Sequence, residues 1–226
     1  MDIKPLNEQE NRFSFAVKGV SLPVANAVRR YSINRVPVLA IDRIIMYENS
    51  SSIFDEYIAH RIGMIPIRTP DGLPASSEAS FVLDVQGPAT VCSGDLKSGD
   101  AAIEVAEPKI PIVTLIDNQS LRLEGKAVLG AGRKHAKFQA GMVAYEEKDD
   151  GTFVFKAESF MQMGAREMLV RGCKALESDL EALSDAVAEI GGKKKKAKKK
   201  EESAEKPAKE KKPRAKKAKK EEKTEE

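Results

Sequence analysis

A chain of 226 residues, 41% of them hydrophobic, is long enough to bury the core of one or two domains. It contains no apolar run near the roughly 20 residues that a membrane helix needs and no signal-peptide pattern, so we expect a soluble, cytoplasmic protein. Its two cysteines, Cys92 and Cys173, are too few for a disulfide framework and too far apart for a C-x-x-C metal site. We expect both to be buried as small hydrophobic residues.

The net charge of +3 conceals two regions of opposite sign. Residues 191–226 contain 17 Lys or Arg and 8 Asp or Glu, whereas residues 1–190 contain 21 Lys or Arg and 27 Asp or Glu. The body is therefore acidic, and a nucleic-acid-binding function would have to reside in the tail. Because the tail lacks Leu, Ile, Val and aromatic residues, we expect it to be disordered. Salt-sensitive binding of nucleic acid and a merely solubilising role are equally open for it.

The first residues predict a β-hairpin that leads into a helix. Residues 2–6 and 12–17 have the character of strands, and in the second one apolar and polar residues alternate, as in a sheet with one buried face. In the helix that follows, Ser21 can act as the cap and Pro23 suits the first turn, and residues 34–37 end it. Residues 38–47 are β-branched and apolar, which is typical of a buried strand.

This first helix has two different sides. A spacing near three places four apolar residues on one side: Leu22, Ala25, Val28 and Tyr31. Asn26, Arg29 and Arg30 project from other sides. The helix can therefore bury one side and present a polar, cationic one.

The middle of the chain predicts a short helix followed by a β-rich region. Ser52 and Asp55 resemble a capping box for an amphipathic helix over residues 53–62, and Gly63 is placed to end it. His60 lies in this helix without a second ligand or a nucleophile nearby, so we interpret it as structural. Between residues 69 and 140, Pro and Gly separate short apolar runs, which indicates a loop-rich β subdomain.

Residues 130–139, GAGRKHAKFQ, form a glycine-rich segment with three basic residues. Such a loop could cradle a phosphate beside Arg133, Lys134 and Lys137. It lacks the G-x-x-x-x-G-K-[ST] order, and no apolar helix follows it. A turn with exposed cations is the simpler interpretation.

The last part of the body predicts a hairpin and a long helix. Asp150-Gly151 joins two strand-like segments, residues 142–146 and 153–158. The helix then covers residues 165–190, and Gly191-Gly192 ends it. An apolar seam recurs along it every three or four residues: Ala165, Leu169, Gly172, Leu176, Leu180, Leu183, Val187 and Ile190.

A partner helix explains this apolar seam better than packing wholly inside the chain. A seam of roughly 39 Å, at 1.5 Å per residue, exceeds what one small sheet covers. The glycine in it costs about 1 kcal/mol relative to alanine, which is easier to understand at a close helix crossing. We therefore predict a partner-helix interface formed by Leu169, Gly172, Leu176, Leu180 and Leu183.

Four stretches along the chain form a recognisable series. The first is A-N-A-V-R-R at residues 25–30, followed by Val36-Pro37 and Ala40-Ile41-Asp42. The others are D-E-x-x-A-H-R-x-G-x-I-P-I at residues 55–67, G-x-x-H-A-K-F at 132–138 and F-x-F-x-x-E-S at 153–159. Over about 190 residues this series resembles the alpha-like assembly subunits of multisubunit RNA polymerases, specifically in their archaeal form.

The resemblance, together with the predicted elements, implies an α+β fold. Residues 1–47 and 141–190 would form a discontinuous dimerisation domain, an antiparallel sheet with two helices on one face. Residues 48–140 would form a β-rich insertion domain, and the disordered tail would follow at residues 191–226.

The resemblance also implies a non-catalytic role within DNA-directed RNA polymerase. The family member pairs with the small alpha-like subunit L, is joined by subunits N and P, and recruits the large catalytic subunits. Asn26, Arg29 and Arg30 match the motif that faces the second-largest subunit. No catalytic residue, cofactor or metal site is predicted, since two histidines and two cysteines lie scattered along the chain. A nucleic-acid-binding protein that acts through its basic tail is the alternative.

Some relatives hold an iron–sulfur cluster in the insertion domain. Such a cluster needs about four thiolates, and Cys92 is the single cysteine between residues 48 and 140. We therefore predict that this chain holds no cluster.

Overall fold

The computed structural model describes residues 1–202, with side chains described for residues 1–190. Met1–Leu180 form one compact unit, and a second unit begins at Glu181. Helices and antiparallel sheets are both present, which confirms the predicted α+β class. The larger unit is built from two layers, each with its own hydrophobic core.

The first layer is a four-stranded antiparallel sheet with two helices. Its strands are β1 (Asp2–Glu8), β2 (Arg12–Lys18), β9 (Gly141–Glu147) and β10 (Phe153–Ser159), in the order β1-β2-β10-β9. Phe15 lies opposite Phe155 in the register of β2 and β10, and their rings stack with centroids 5.0 Å apart. Helix α1 (Leu22–Asn34) and the start of α3 (Ala165–Glu202) contribute to the same core. The predicted hairpins and helices are thus present.

The second layer contains a larger antiparallel sheet, a two-stranded sheet and one helix. The larger sheet has the order β3-β8-β4-β6, formed by β3 (Pro37–Asn49), β4 (Glu78–Gln86), β6 (Lys97–Ser98) and β8 (Ser120–Ala131). Strands β5 (Ala89–Cys92) and β7 (Pro111–Leu115) form the smaller sheet. Helix α2 (Asp55–Gly63) buries Ile58 and Ile62 completely in the core.

Strand β3 belongs to both cores. Val38 and Ala40 pack in the first core, whereas Leu39 and Ile41 pack in the second. Successive side chains of a strand point to opposite faces, so a strand between two cores is apolar at every position. This explains the uninterrupted apolar run that the sequence shows here.

The pairing of β3 differs from the predicted domain boundary at residue 47. The strand pairs with β8 along its length rather than with the first sheet, so assigning residues 37–47 to the first layer alone is wrong. An apolar run indicates burial but does not identify the neighbouring strand. Since Met1–Leu180 form one compact unit, the boundaries at residues 47 and 140 otherwise stay predictions.

The predicted helix caps were only partly correct. Ser21 occupies the N-cap position of α1, but its side chain makes no capping hydrogen bond. Helix α2 begins at Asp55 with Phe54 as its N-cap residue, so the capping box predicted from Ser52 is absent. Asn49 donates a hydrogen bond of 2.7 Å to the Asp55 carboxylate at the start of this helix.

Helix α3 continues to Glu202, beyond the end predicted at Gly191-Gly192. Glycine costs about 1 kcal/mol in a helix, but the lysine, alanine and glutamate residues that follow are strong helix formers. The disorder expected for residues 191–226 stays a prediction, and residues 203–226 lie outside the described residues. Within residues 1–202, no helix combines the length and apolar character needed to cross a membrane.

Helices α1 and α3 cross at Gly172. A Cβ atom added there would lie 2.7 Å from the Cα of Ser32 and 2.5 Å from its Oγ, closer than real Cβ contacts. Ser32 is fully buried and donates a hydrogen bond of 2.8 Å to the Val28 carbonyl of its own helix. The close crossing that the glycine predicted is thus present, but it lies within this chain.

We expect Gly172→Ala to lower the free energy of unfolding by about 1–2 kcal/mol. Overpacking costs about 1–3 kcal/mol, and the upper part of this range, about 2–3 kcal/mol, applies because the added Cβ would meet Ser32 backbone atoms. This exceeds the roughly 1 kcal/mol gained in helix propensity. Chemical denaturation measures the difference, and Ser178→Ala at an exposed position of the same helix is the control. An equal or higher stability of the Gly172 variant would contradict the close crossing.

Candidate protein–protein interface

The three residues that the sequence assigned to a large-subunit contact do not act as one cluster. Arg29 donates two hydrogen bonds from its guanidinium to the Oδ1 of Asn26, at 2.9 and 3.3 Å, along the same helix face. Arg29 and Asn26 are therefore partly satisfied by each other, and both are half-buried. Arg30 is exposed and lines a separate depression on the surface.

Arg30 lines an open depression of about 420 Å³ beside the end of α1. Its lining comes from α1, the residue after it and the turn after β8: Ala27, Arg30, Tyr31, Asn34, Arg35 and Arg133. Three of these six residues are arginines, and none is acidic. Sequence reasoning missed Arg133 as a member of this site, because residues 30 and 133 meet only in the folded chain.

Arg35 has a carboxylate partner from α3. Its guanidinium pairs with Asp179, and the Tyr31 hydroxyl donates a second hydrogen bond of 2.9 Å to the same carboxylate. The Arg35 guanidinium also lies 5.5 Å from the centre of the Tyr31 ring, at cation–π distance. No local pattern connects residues 35 and 179, so the sequence offered no signal for this contact.

The glycine-rich segment is a packed turn. A Cβ atom on Gly130 would lie 2.7 Å from the Phe138 ring, and one on Gly132 would lie 2.7 Å from the Ile33 carbonyl oxygen. The glycines are thus explained by close approach to neighbouring groups. His135 accepts a hydrogen bond of 3.1 Å from the Lys137 backbone N–H, which caps the short turn Ala136–Phe138.

The two lysines of this turn form ion pairs with an aspartate, so they do not provide a free phosphate cradle. The Lys137 ammonium lies 2.7 Å from Asp42, and that of Lys134 lies 3.5 Å from it. Lys137 also donates a hydrogen bond of 3.3 Å to the Ile41 carbonyl. The hydrogen bond from Lys137 is the main reason that the pKa of the Asp42 carboxyl is lowered, and attraction to Lys134 adds to it.

The predicted apolar seam of α3 divides into two parts. Leu169 is 6% exposed in the first core, and Gly172 contacts α1, so their assignment to a partner interface is wrong. Leu176 is half-buried. Leu180 and Leu183 are 57% and 60% exposed, and the seam continues through exposed Val187 and Ile190. Periodicity identified the apolar side of the helix, but it could not show where the core of the chain ends.

The histidines and cysteines take separate places in the fold. His60 is exposed on α2, and His135 accepts a backbone hydrogen bond in the turn after β8. Cys92 is half-buried, whereas Cys173 is exposed on α3, so the expectation of two buried cysteines was wrong for Cys173. Within residues 1–190, no three His, Cys, Asp or Glu side chains are grouped so that they could hold a metal ion.

Comparison with known proteins extends these observations. Residues 43–147 match the family model of the RNA polymerase Rpb3/RpoA insert domain. The chain is 41% identical over 170 residues to DNA-directed RNA polymerase subunit Rpo3 of Methanocaldococcus jannaschii, a match that covers 75% of this chain and 87% of that protein. Identity to subunit Rpo3 is 44% over 137 residues for Natronomonas pharaonis and 42% over 153 residues for Thermococcus kodakarensis.

The last two matches span only 56% and 59% of those relatives. The fold and the matches define an α+β protein of two antiparallel layers, and the insert-domain match covers most of the second layer together with β9 of the first. The extent of the match to the Methanocaldococcus protein then decides the family. This chain belongs to the family of archaeal DNA-directed RNA polymerase subunit Rpo3.

The ion pair between Asp42 and Lys137 predicts a pH-dependent contribution to stability. A carboxyl whose pKa is lowered by folding stabilises the native state above its unfolded pKa, and this stabilisation is lost as pH falls through the folded pKa. We expect Asp42→Asn to lower the free energy of unfolding by about 1 kcal/mol at pH 7. The difference from the unaltered chain should shrink below the ordinary carboxyl pKa of 3.8.

Denaturation midpoints measured from about pH 7, where an aspartate is ionised, down to about pH 3, where it begins to be protonated, measure this difference. Asp117→Asn, at an exposed turn position, is the control and should show no such dependence. A stability loss in the Asp42 variant that stays constant down to pH 3 would contradict the ion-pair explanation.

Proposed function

We propose that this chain is a non-catalytic assembly subunit of a DNA-directed RNA polymerase. In this role it pairs with the small alpha-like subunit L, is joined by subunits N and P, and recruits the large catalytic subunits. Membership in the Rpo3 family is the observation that carries the proposal. Since the relatives are archaeal, the proposed place of action is the cytoplasm, where an archaeal cell keeps its DNA.

The exposed part of the α3 seam supports pairing with another helix. Apolar side chains at Leu180, Leu183, Val187 and Ile190 recur every three or four residues, and each is more than half exposed. Such a stripe is stabilised when the facing helix supplies apolar side chains of its own. A permanent interface of this kind buries on the order of 2,000 Å² or more.

The depression beside α1 supports a second, polar contact. Arg30, which the resemblance assigned to the second-largest subunit, is exposed there. Arg29 and Asn26 bond to each other, so they support the proposal less directly, through the shape of the helix surface.

We also propose that the chain works without an iron–sulfur cluster. Cys92 is the single cysteine of residues 48–140. Its sulfur lies 3.8 Å from the Thr90 carbonyl oxygen, as a weak hydrogen-bond donor would. Three further thiolates would be needed to hold a four-iron cluster.

The proposal predicts a heterodimer that depends on the exposed α3 leucines. The full chain, co-expressed with the small alpha-like subunit, should elute as a 1:1 complex with the summed mass by light scattering. Leu180→Asp combined with Leu183→Asp should weaken the complex at least about 100-fold, because two carboxylates would be buried in an apolar contact. The free chain should keep its fold, since both side chains are more than half exposed.

Ile116→Asp is the matched control. Ile116 is an apolar residue of similar exposure, 64%, in the turn between β7 and β8. The Ile116→Asp substitution should leave the heterodimer intact. An unaltered chain that stays monomeric beside the small subunit would refute the proposed pairing. A heterodimer insensitive to both leucine changes would instead refute the role of α3 in it.

A further inference from the structure

The depression beside α1 concentrates positive charge on an acidic body. Residues 1–190 carry 21 basic and 27 acidic side chains, yet Arg30, Arg35 and Arg133 line one open hollow that has no acidic lining residue. Tyr31 and Asn34 complete the polar part of its wall. A local positive site on a negative surface selects for a small negative group rather than for a long polyanion, which the rest of the surface repels.

Two of the three guanidinium groups are available for a partner. Arg35 is already paired with Asp179 on α3. Arg30 and Arg133 are both exposed, and neither forms an ion pair with any residue between 1 and 190. Arg30 and Arg133 therefore contribute two positive charges that no acidic side chain of residues 1–190 neutralises.

The backbone at Arg133 is fixed against the end of α1. Its N–H donates a hydrogen bond of 3.1 Å to the Asn34 carbonyl oxygen, and Gly132 fits against the Ile33 carbonyl, where a side chain would not. The next residue, Lys134, is held by a backbone hydrogen bond to Ala131 and by its ion pair with Asp42. Arg133 is thus presented from a packed turn beside the carbonyl end of a helix, where a cation is favoured.

We propose that Arg30 and Arg133 together bind carboxylates of an acidic segment on a large polymerase subunit. This inference rests on the proposed assembly function and names the chemistry of one of its contacts. A guanidinium presents a planar fork that matches a carboxylate with two parallel hydrogen bonds. Two forks side by side suit two acidic side chains close together in the partner. Arg29, which bonds to Asn26, is outside this contact.

The test uses the full chain in its heterodimer with the small alpha-like subunit, titrated with the purified second-largest subunit. Arg133→Glu and Arg30→Glu should each weaken binding at least about tenfold, because each places a carboxylate against the partner's carboxylates. Arg43→Glu, an exposed arginine of β3, makes the same charge change and should leave the affinity within about twofold. The salt dependence of binding should also fall in the two site variants but not in the control.

A zero-length cross-link identifies the partner group. In Arg133→Lys, a carbodiimide should join the new amine to an Asp or Glu of the large subunit, and mass spectrometry locates that residue. The inference would be overturned if Arg133→Lys gave no carbodiimide product and if Arg133→Glu and Arg30→Glu bound the large subunit as tightly as Arg43→Glu. The assembly function would then still stand. Failure of the unaltered heterodimer to bind the large subunit would overturn both.

A nucleic-acid ligand for this depression is a distinct outcome. Binding of a labelled DNA duplex by the full chain should be the same for the unaltered protein and for Arg133→Glu. If Arg133→Glu instead lost duplex binding while keeping its affinity for the large subunit, the site would be a phosphate site and the proposed carboxylate contact would be wrong.

Discussion

The structure depends on the burial of strand β3 between two cores. Val38 and Ala40 pack toward the sheet of β1, β2, β9 and β10, while Leu39 and Ile41 pack toward the core of the second layer. A shift of one residue in the pairing with β8 would exchange these two sets, so the apolar contacts on both sides specify the register. Helix α1 ends just before this strand, and Asp42 follows the buried run directly. The depression beside α1 is therefore positioned relative to a strand that has little freedom to move.

The turn after β8 shows how such a constraint positions a charged group. Asp42 holds Lys137 and Lys134, and Gly132 lets the turn approach the last carbonyl groups of α1. Arg133 then lies beside Arg30, although the two residues are about a hundred positions apart. The same residues that resemble a phosphate-binding loop in the sequence are largely explained by packing and by one aspartate. Arg30 and Arg133 remain without an ion-pair partner among residues 1–190.

Helix α3 is buried at its start and carries exposed apolar residues further along the same side. Near its start, Leu169 is a core residue and Gly172 allows the close crossing with α1. Asp179 then accepts hydrogen bonds from Tyr31 and Arg35, which fastens the helix to α1 just before Leu180 becomes exposed. The proposed assembly function would use such an arrangement, because a helix that offers an apolar stripe to a partner must itself be held by its own chain.

The sequence alone determined the features that depend on local chemistry. The alternation in β2, the 3.6-residue periodicity of α1 and α3 and the Asp-Gly hairpin each follow from the period or the turn preference of a few neighbouring residues. The ordered motifs were sufficient to indicate the family. Tertiary structure alone decided that β3 pairs with β8, that Gly172 faces Ser32 rather than a partner, and that Arg133 joins Arg30. Each of these contacts joins residues far apart in the chain, and periodicity shows which side of an element is apolar but not what will cover it.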